Sequence, residues 1–88
     1  MIIHRLNEGT NNEYQTFHVY RSNWEETGQA IKFAYERDDG VRMPNMIAIP
    51  KSQLIQGETN PVTGITRFRI KKWILKKNIS DGFRIIEW

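Results

Sequence analysis

The chain has 88 residues and a mass of 10.5 kDa, and 39% of its residues are hydrophobic, 11% aromatic and 26% charged. These values are typical of one folded domain spanning residues 1–88 and exclude a disordered chain. The lack of cysteine excludes disulfide scaffolds and favours a reducing compartment, so we expect a cytoplasmic protein. No apolar run approaches the roughly 20 residues that span a bilayer, and no signal-peptide pattern occurs, so no membrane partner is expected.

The basic side chains are concentrated in the second half of the chain. Residues 1–40 carry four basic and seven acidic side chains, whereas residues 41–80 carry eight basic side chains and one acidic, Glu58. The overall charge of +3 therefore hides a stretch whose net charge is +7. Such a stretch favours a partner that carries phosphates, and a solvated face that offsets the acidic half is the alternative interpretation.

The first half of the chain predicts two strands. Residues 14–21 are rich in aromatic and β-branched side chains, which predicts a strand followed by a connection over residues 22–28. Residues 29–37 alternate between apolar and polar side chains, which predicts one half-buried strand. Its apolar face would carry Ile31, Phe33 and Tyr35.

Turn-forming residues mark the middle of the chain. Residues 38–40, Asp-Asp-Gly, predict a tight turn, because glycine supplies the positive φ that such turns require. Residues 45–50 predict the returning strand, which Pro50 should end. Residues 57–64 contain Asn-Pro and two glycines, which predicts a loop.

The most basic segment combines a predicted strand with a predicted helix. Residues 65–70 alternate, with Arg67 and Arg69 on one face and Phe68 on the other. Residues 71–78 change to a helical period, which predicts a short helix whose apolar side includes Trp73 as a core residue. The predicted fold class is therefore α+β, mainly β: a small antiparallel sheet or partly open barrel with one short helix.

The last residues predict a strand that is apolar on both faces. Phe83 and Ile85 would lie on one face, and Ile86 and Trp88 on the other. Because a strand with one wet face does not need this pattern, either a neighbouring element or a second subunit should cover it. These four residues are the candidate interface of a homo-oligomer.

Catalytic and metal-binding patterns are missing from the sequence. His4 and His18 lie 14 residues apart and have no acidic neighbour at metal-ligand spacing. The nucleophile-elbow, P-loop and dinucleotide-binding motifs do not occur. We therefore expect a protein that is not an enzyme and that holds neither a metal nor a cofactor.

Basic and aromatic side chains suggest binding of an anion. Arginine binds phosphate through a planar fork and lysine as a mobile point charge. The candidate phosphate-binding residues are Arg67, Arg69, Lys71, Lys72, Lys76 and Lys51. A base could stack on an exposed aromatic ring, for which the candidates are Tyr14, Tyr20, Trp24 and Tyr35.

Residues 24–79 contain five short motifs: Trp24, Ala30-Ile31, Asp39-Gly40, Ile49-Pro50-Lys51-Ser52-Gln53 and Trp73-Ile74-Leu75-Lys76-Lys77. In this order the motifs resemble those of a family of small phage proteins. The family has a WIPKSQ segment, and this chain departs from it because Ala48 stands in place of the tryptophan. The resemblance implies a phage or prophage protein, with genes often close to replication and recombination functions, and no established activity.

Two functional hypotheses follow. In the first, the protein acts in the host cytoplasm in counter-defence and binds an anionic ligand through residues 65–77. It would sequester a nucleotide immune signal or block a host defence protein. In the second, it binds single-stranded or duplex nucleic acid as an accessory protein of phage replication or recombination. A structural role is the remaining alternative.

Overall fold

The computed structural model describes residues 13–88, which form eight strands and one α-helix. In chain order these are β1 (Tyr14–Tyr20), β2 (Trp24–Glu26), β3 (Ala30–Phe33), β4 (Tyr35–Arg37), β5 (Ile47–Pro50), β6 (Leu54–Thr59), β7 (Ile65–Lys71), α1 (Lys72–Asn78) and β8 (Phe83–Ile85). The strands pair in three small antiparallel sheets, in the orders β1-β7-β6, β2-β3-β5 and β4-β8. The predicted α+β, mainly β class with one short helix is confirmed. Within residues 13–88 no helix is long enough and apolar enough to cross a membrane.

The core is centred on Phe68 of β7. The Phe68 ring meets Phe33 of β3 edge to face, with 5.0 Å between ring centroids, and meets Trp24 of β2 at 5.1 Å. The other fully buried apolar side chains come from β1, β3, β5 and β7 and are Val19, Ile31, Ile49 and Ile70. Burying one such side chain stabilises the fold by about 1.5–3 kcal/mol. Because Phe68 contacts rings of both β2 and β3, it links the first sheet to the second.

The predicted connection and the predicted strand that follows it both differ from the structure. Residues 22–28 are not a plain connection, because a 3-10 turn over Arg21–Asn23 leads directly into β2. The strand predicted over residues 29–37 is interrupted at Ala34, which is buried. The Ala34 N–H donates to the Asn23 carbonyl, and the Ala34 carbonyl accepts from the Ile86 N–H. These two bonds carry the chain from the second sheet into the third.

The tight turn predicted at residues 38–40 is confirmed. Gly40 has a φ of +90°, and its N–H donates to the Arg37 carbonyl over 2.8 Å. The Asp39 carboxylate accepts two hydrogen bonds from the Arg37 guanidinium and one from the Val41 N–H. The Arg37 side chain, followed by the Val41 N–H, holds the pKa of the Asp39 carboxyl below its usual value. The returning strand is confirmed as β5, which pairs with β3 and ends at Pro50.

The predicted loop over residues 57–64 begins three residues too early in the sequence. β6 extends to Thr59, and the loop contains only residues 60–64. The register between β6 and β7 shifts between Gln56 and Thr59, which places Gly57 in a bulge. A Cβ atom on Gly57 would lie 2.9 Å from the Arg67 carbonyl oxygen and 3.7 Å from Arg67 Nε. Glycine therefore gives the Arg67 backbone and side chain room to cross this part of the sheet.

We expect Gly57→Ala to lower the free energy of unfolding by about 1–3 kcal/mol, because the new methyl group would overpack the bulge. Gly28→Ala is the matched control, since no atom lies within 4 Å of the Cβ position there and its φ is not positive. Urea unfolding followed by circular dichroism measures both variants. Equal midpoints for the two variants would contradict the close approach at Gly57.

Trp73 is not a core residue, in contrast to the prediction. Ile74 and Leu75 are the buried residues of α1, whereas Trp73 is 53% exposed. Residues three and four positions apart share a helix face, so Trp73 lies with Lys76 and Lys77. The helix therefore turns its lysines and its tryptophan to the same side.

We expect Trp73→Ala to change the free energy of unfolding by less than about 1 kcal/mol, because the site is largely exposed. Ile74→Ala, at the next position of the same helix, should cost about 2–5 kcal/mol because it leaves a cavity. Denaturant titrations of the two variants test this contrast. A comparable loss in both would mean that the indole packs in the core.

The C-terminal residues are largely covered by the same chain. Ile85 and Ile86 are buried, so neighbouring elements, and not a second subunit, cover them. Trp88 is 76% exposed, and Phe83 is half-buried against the Tyr35 ring. The N–H groups of His18 and Tyr20 donate to the Glu87 side chain and carbonyl over 2.7 Å each, which joins this segment to the outer edge of β1. The predicted homo-oligomer interface is thereby reduced to Trp88 and Phe83.

Candidate functional site

Pairing between β1 and β7 places the two predicted arginines beside side chains of β1. Arg67 lies opposite His18, Arg69 opposite Thr16, and Lys71 opposite Tyr14. Since alternate residues of a strand point to opposite sides of the sheet, the burial of Phe68 directs Arg67 and Arg69 outward. We use the name β1–β7 outer face for the surface formed by Tyr14, Thr16, His18, Tyr20, Arg67, Arg69 and Lys71.

The cations of this face have no acidic partner within the described residues. The ion pairs of residues 13–88 are Arg37 with Asp39, Lys51 with Glu26, and Arg84 with Glu36. Arg67, Arg69, Lys71, Lys72 and Lys76 are in none of them. These five cations outnumber the two carboxylates that line the same surface, Glu13 and Glu58, so their charge is available to an external anion.

Lys51 does not belong to this set of cations. It follows β5, and its Nζ atom donates to Glu26 Oε2 over 2.5 Å. Ser52 accepts a hydrogen bond from the Gln53 side chain and caps no helix. The segment that resembles the phage motif is thus a 3-10 turn that leads into β6.

Arg69 is held against an aromatic ring. Its guanidinium carbon lies 5.1 Å from the centroid of the Tyr14 ring. Such a cation–π contact contributes about 0.5–1 kcal/mol at an exposed site. It orients the guanidinium while leaving its N–H groups free to donate to an anion.

Three shallow depressions surround these side chains. The central depression has a volume of about 520 Å³ and is lined by Tyr14, Thr16, His18, Arg67 and Arg69. The helix depression has a volume of about 350 Å³ and is lined by Glu13, Lys71, Lys72, Trp73 and Lys76. The loop depression has a volume of about 510 Å³ and is lined by His18, Glu58, Asn60, Thr63, Ile65 and Arg67.

The three depressions are adjacent. Arg67 and His18 line both the central and the loop depression. Lys71 of the helix depression pairs with Tyr14 of the central one. Together they form one open, basic surface that runs from the loop after β6, across β1 and β7, to α1.

The predicted stacking residues separate into two groups. Tyr20 lies on the β1–β7 outer face and is 40% exposed. Trp24 is half-buried, and its ring packs against Phe68, so it belongs to the core rather than to the exposed face. Its Nε1 atom is buried and has no hydrogen-bond partner within residues 13–88. Tyr35 packs on Phe83 in the third sheet, away from the basic strand.

The structure adds Thr16, His18 and Trp73 to the site, and it places Tyr14 beside Arg69. The alternation of β1, in which Phe17 and Val19 are buried, is the sequence signal that could have found Thr16 and His18. For Trp73 no comparable signal exists, because its orientation depends on how α1 leaves β7.

The described residues offer no candidate metal site. Across residues 13–88, no group of three His, Asp or Glu side chains is placed to hold a metal ion. His4 lies outside the described residues.

Comparisons with protein-family models, with curated proteins and with solved structures give no match to this chain.

Proposed function

We propose that the protein binds single-stranded nucleic acid on the β1–β7 outer face and the adjoining helix depression. The observation that carries the proposal is the alternation of Arg67, Arg69 and Lys71 along one strand, beside Tyr14 and Tyr20 and without an acidic partner in residues 13–88. Proteins that bind single strands combine a positively charged track for the backbone with aromatic rings on which bases stack. Both components are present on this surface.

The spacing of the cations suits an extended polyanion. Residues two positions apart on a strand are separated by about 7 Å, so Arg67, Arg69 and Lys71 form a regular row. Lys72 and Lys76 continue the positive charge into the helix depression. Successive phosphates of one strand could therefore each meet a cation while the bases face the aromatic side chains.

Exposed rings favour a single strand over a duplex. Tyr20 and Trp73 are available to bases only when those bases are unstacked, as they are in single strands, loops and ends. A duplex would offer its phosphates to the cations but would leave the rings without partners. The open shape of the depressions likewise suits a polymer better than a small cyclic nucleotide, which needs an enclosing pocket.

We expect Arg67→Ala combined with Arg69→Ala to weaken binding of a ten-nucleotide oligo(dT) by about tenfold or more at low salt. The slope of log affinity against log salt should fall in magnitude by about 1.4, because each lost phosphate contact with a single strand removes about 0.7. Fluorescence anisotropy over a salt series measures both quantities.

The matched control for this variant is Arg37→Ala combined with Arg42→Ala. It removes the same charge beside the turn at residues 38–40, away from the β1–β7 outer face. The proposal requires that this control keep the wild-type affinity and salt slope. Equal losses in the two double variants would show that only net charge matters, and the proposed site would be rejected.

We expect Trp73→Ala to weaken oligo(dT) binding by about 1–3 kcal/mol, the range measured for one base stacked on an aromatic side chain. The salt slope should not change, because no charge is removed. Trp88→Ala is the control, since Trp88 is also exposed but lies outside the three depressions. If only the Trp88 variant lost affinity, the stacking residue would be Trp88, and the role of Trp73 would be rejected.

This activity corresponds to the second hypothesis from the sequence, an accessory protein of phage replication or recombination. Sequestration of a nucleotide signal, one of the counter-defence alternatives, is distinguished in the same experiment. A cyclic dinucleotide added as a competitor would displace oligo(dT) only if both ligands used one site. Binding of the cyclic dinucleotide without binding of oligo(dT) would favour sequestration of a nucleotide signal.

A further inference from the structure

The loop depression has one carboxylate and one guanidinium group, whereas the helix depression has three lysines and the single carboxylate of Glu13. Glu58 is the single acidic side chain of residues 41–80, and it lies in this depression together with Arg67. Its carboxylate makes no ion pair with Arg67 or with any other cation of residues 13–88. A carboxylate repels phosphate, so the group that enters this depression must offer hydrogen-bond donors. Along a DNA strand those donors are on the edges of the bases.

Two polar groups of this depression, Asn60 and Arg67, are held in position by the fold. The Asn60 Oδ1 atom accepts hydrogen bonds from the N–H groups of Val62 and Thr63, over 2.8 and 3.3 Å, which leaves the Asn60 amide nitrogen to donate elsewhere. The Arg67 stem crosses the bulge at Gly57, where a side chain would obstruct it. The depression thus presents donors from Arg67 and from the anchored Asn60 side chain, and the exposed Glu58 carboxylate as an acceptor.

We propose that this depression reads a guanine base of the bound strand, with Glu58 as the specificity-determining residue. The inference rests on the proposed binding of single strands. Guanine carries two adjacent donors, N1–H and the N2 amino group, that match the two oxygens of a carboxylate. It also carries the O6 acceptor, to which the Asn60 amide nitrogen can donate while Arg67 keeps its phosphate contact.

The other bases match this set of groups less well. Adenine and cytosine offer one exocyclic amino group to Glu58 and no second donor beside it on the same edge. Thymine and uracil offer a single N–H between two carbonyl groups, and the Glu58 carboxylate repels the oxygens of those carbonyl groups. The expected order of affinity at this position is therefore guanine first, adenine and cytosine next, and thymine or uracil last.

The test uses the full chain and three ten-nucleotide strands: oligo(dT), the same strand with one central deoxyguanosine, and the same strand with one central deoxyinosine. A single guanine avoids the self-association of guanine runs. We expect the guanine strand to bind about tenfold more tightly than oligo(dT), which is the effect of one good bidentate pair. Deoxyinosine lacks only the N2 amino group, so most of this gain should be lost with it.

Glu58→Gln should reduce the preference for guanine to about twofold or less, while oligo(dT) binds as well as before or slightly better because a negative charge is removed. Glu25→Gln is the matched control, because Glu25 is exposed on β2 and lies outside the loop depression. It should keep the full guanine preference.

The outcomes separate this inference from the proposed function. Equal affinity of the wild-type protein for the three strands, with salt-dependent binding retained, would overturn the guanine assignment alone. A guanine preference that survives in Glu58→Gln would overturn the role of Glu58. No binding of any strand would overturn both the guanine assignment and the proposed function.

Discussion

The packing of Phe68 between Trp24 and Phe33 determines the direction of the other side chains of β7. The ring is fully buried, and its two edge-to-face contacts join the β1-β7-β6 sheet to β2 and β3. Because side chains alternate along a strand, a buried Phe68 leaves Arg67 and Arg69 no direction except outward. A shift of register by one residue would bury two arginines and expose the aromatic ring. The energy that holds the core together is therefore also the energy that holds the basic surface in place.

The fold accepts an electrostatic cost on this surface. Arg67, Arg69 and Lys71 repel one another along one strand, and no carboxylate of residues 13–88 forms an ion pair with them. Elsewhere the same chain does pair its surface charges, as Lys51 with Glu26 and Arg84 with Glu36 show. A chain selected for stability alone would distribute its charges more evenly. A bound polyanion removes the repulsion, so the cost in the free protein becomes part of the driving force for binding.

The parts of the fold that could be predicted are those with a local period or a distinctive turn. The two faces of β7 and the turn at Gly40 follow from alternation and from the need for positive φ. β2 could not be predicted in this way, because three residues are too few to show a period and its position depends on β3. The bulge at Gly57 resembles a loop in sequence, since glycine serves both. For the site, the arginines were predictable, whereas their neighbours on β1 depend on pairing between distant segments, which the local sequence does not encode.

Glu87 has a consequence for how molecules of this protein meet one another. Among residues 13–88, β1 is the edge strand of its sheet, and an exposed edge invites the strand of another molecule to add to it. Here the N–H groups of His18 and Tyr20 are already engaged by the carboxylate and the carbonyl of Glu87. An incoming strand would have to displace both bonds and to approach a negative charge. One residue thus closes this stretch of the edge against fibre-like stacking, while the neighbouring face of the same strand stays open.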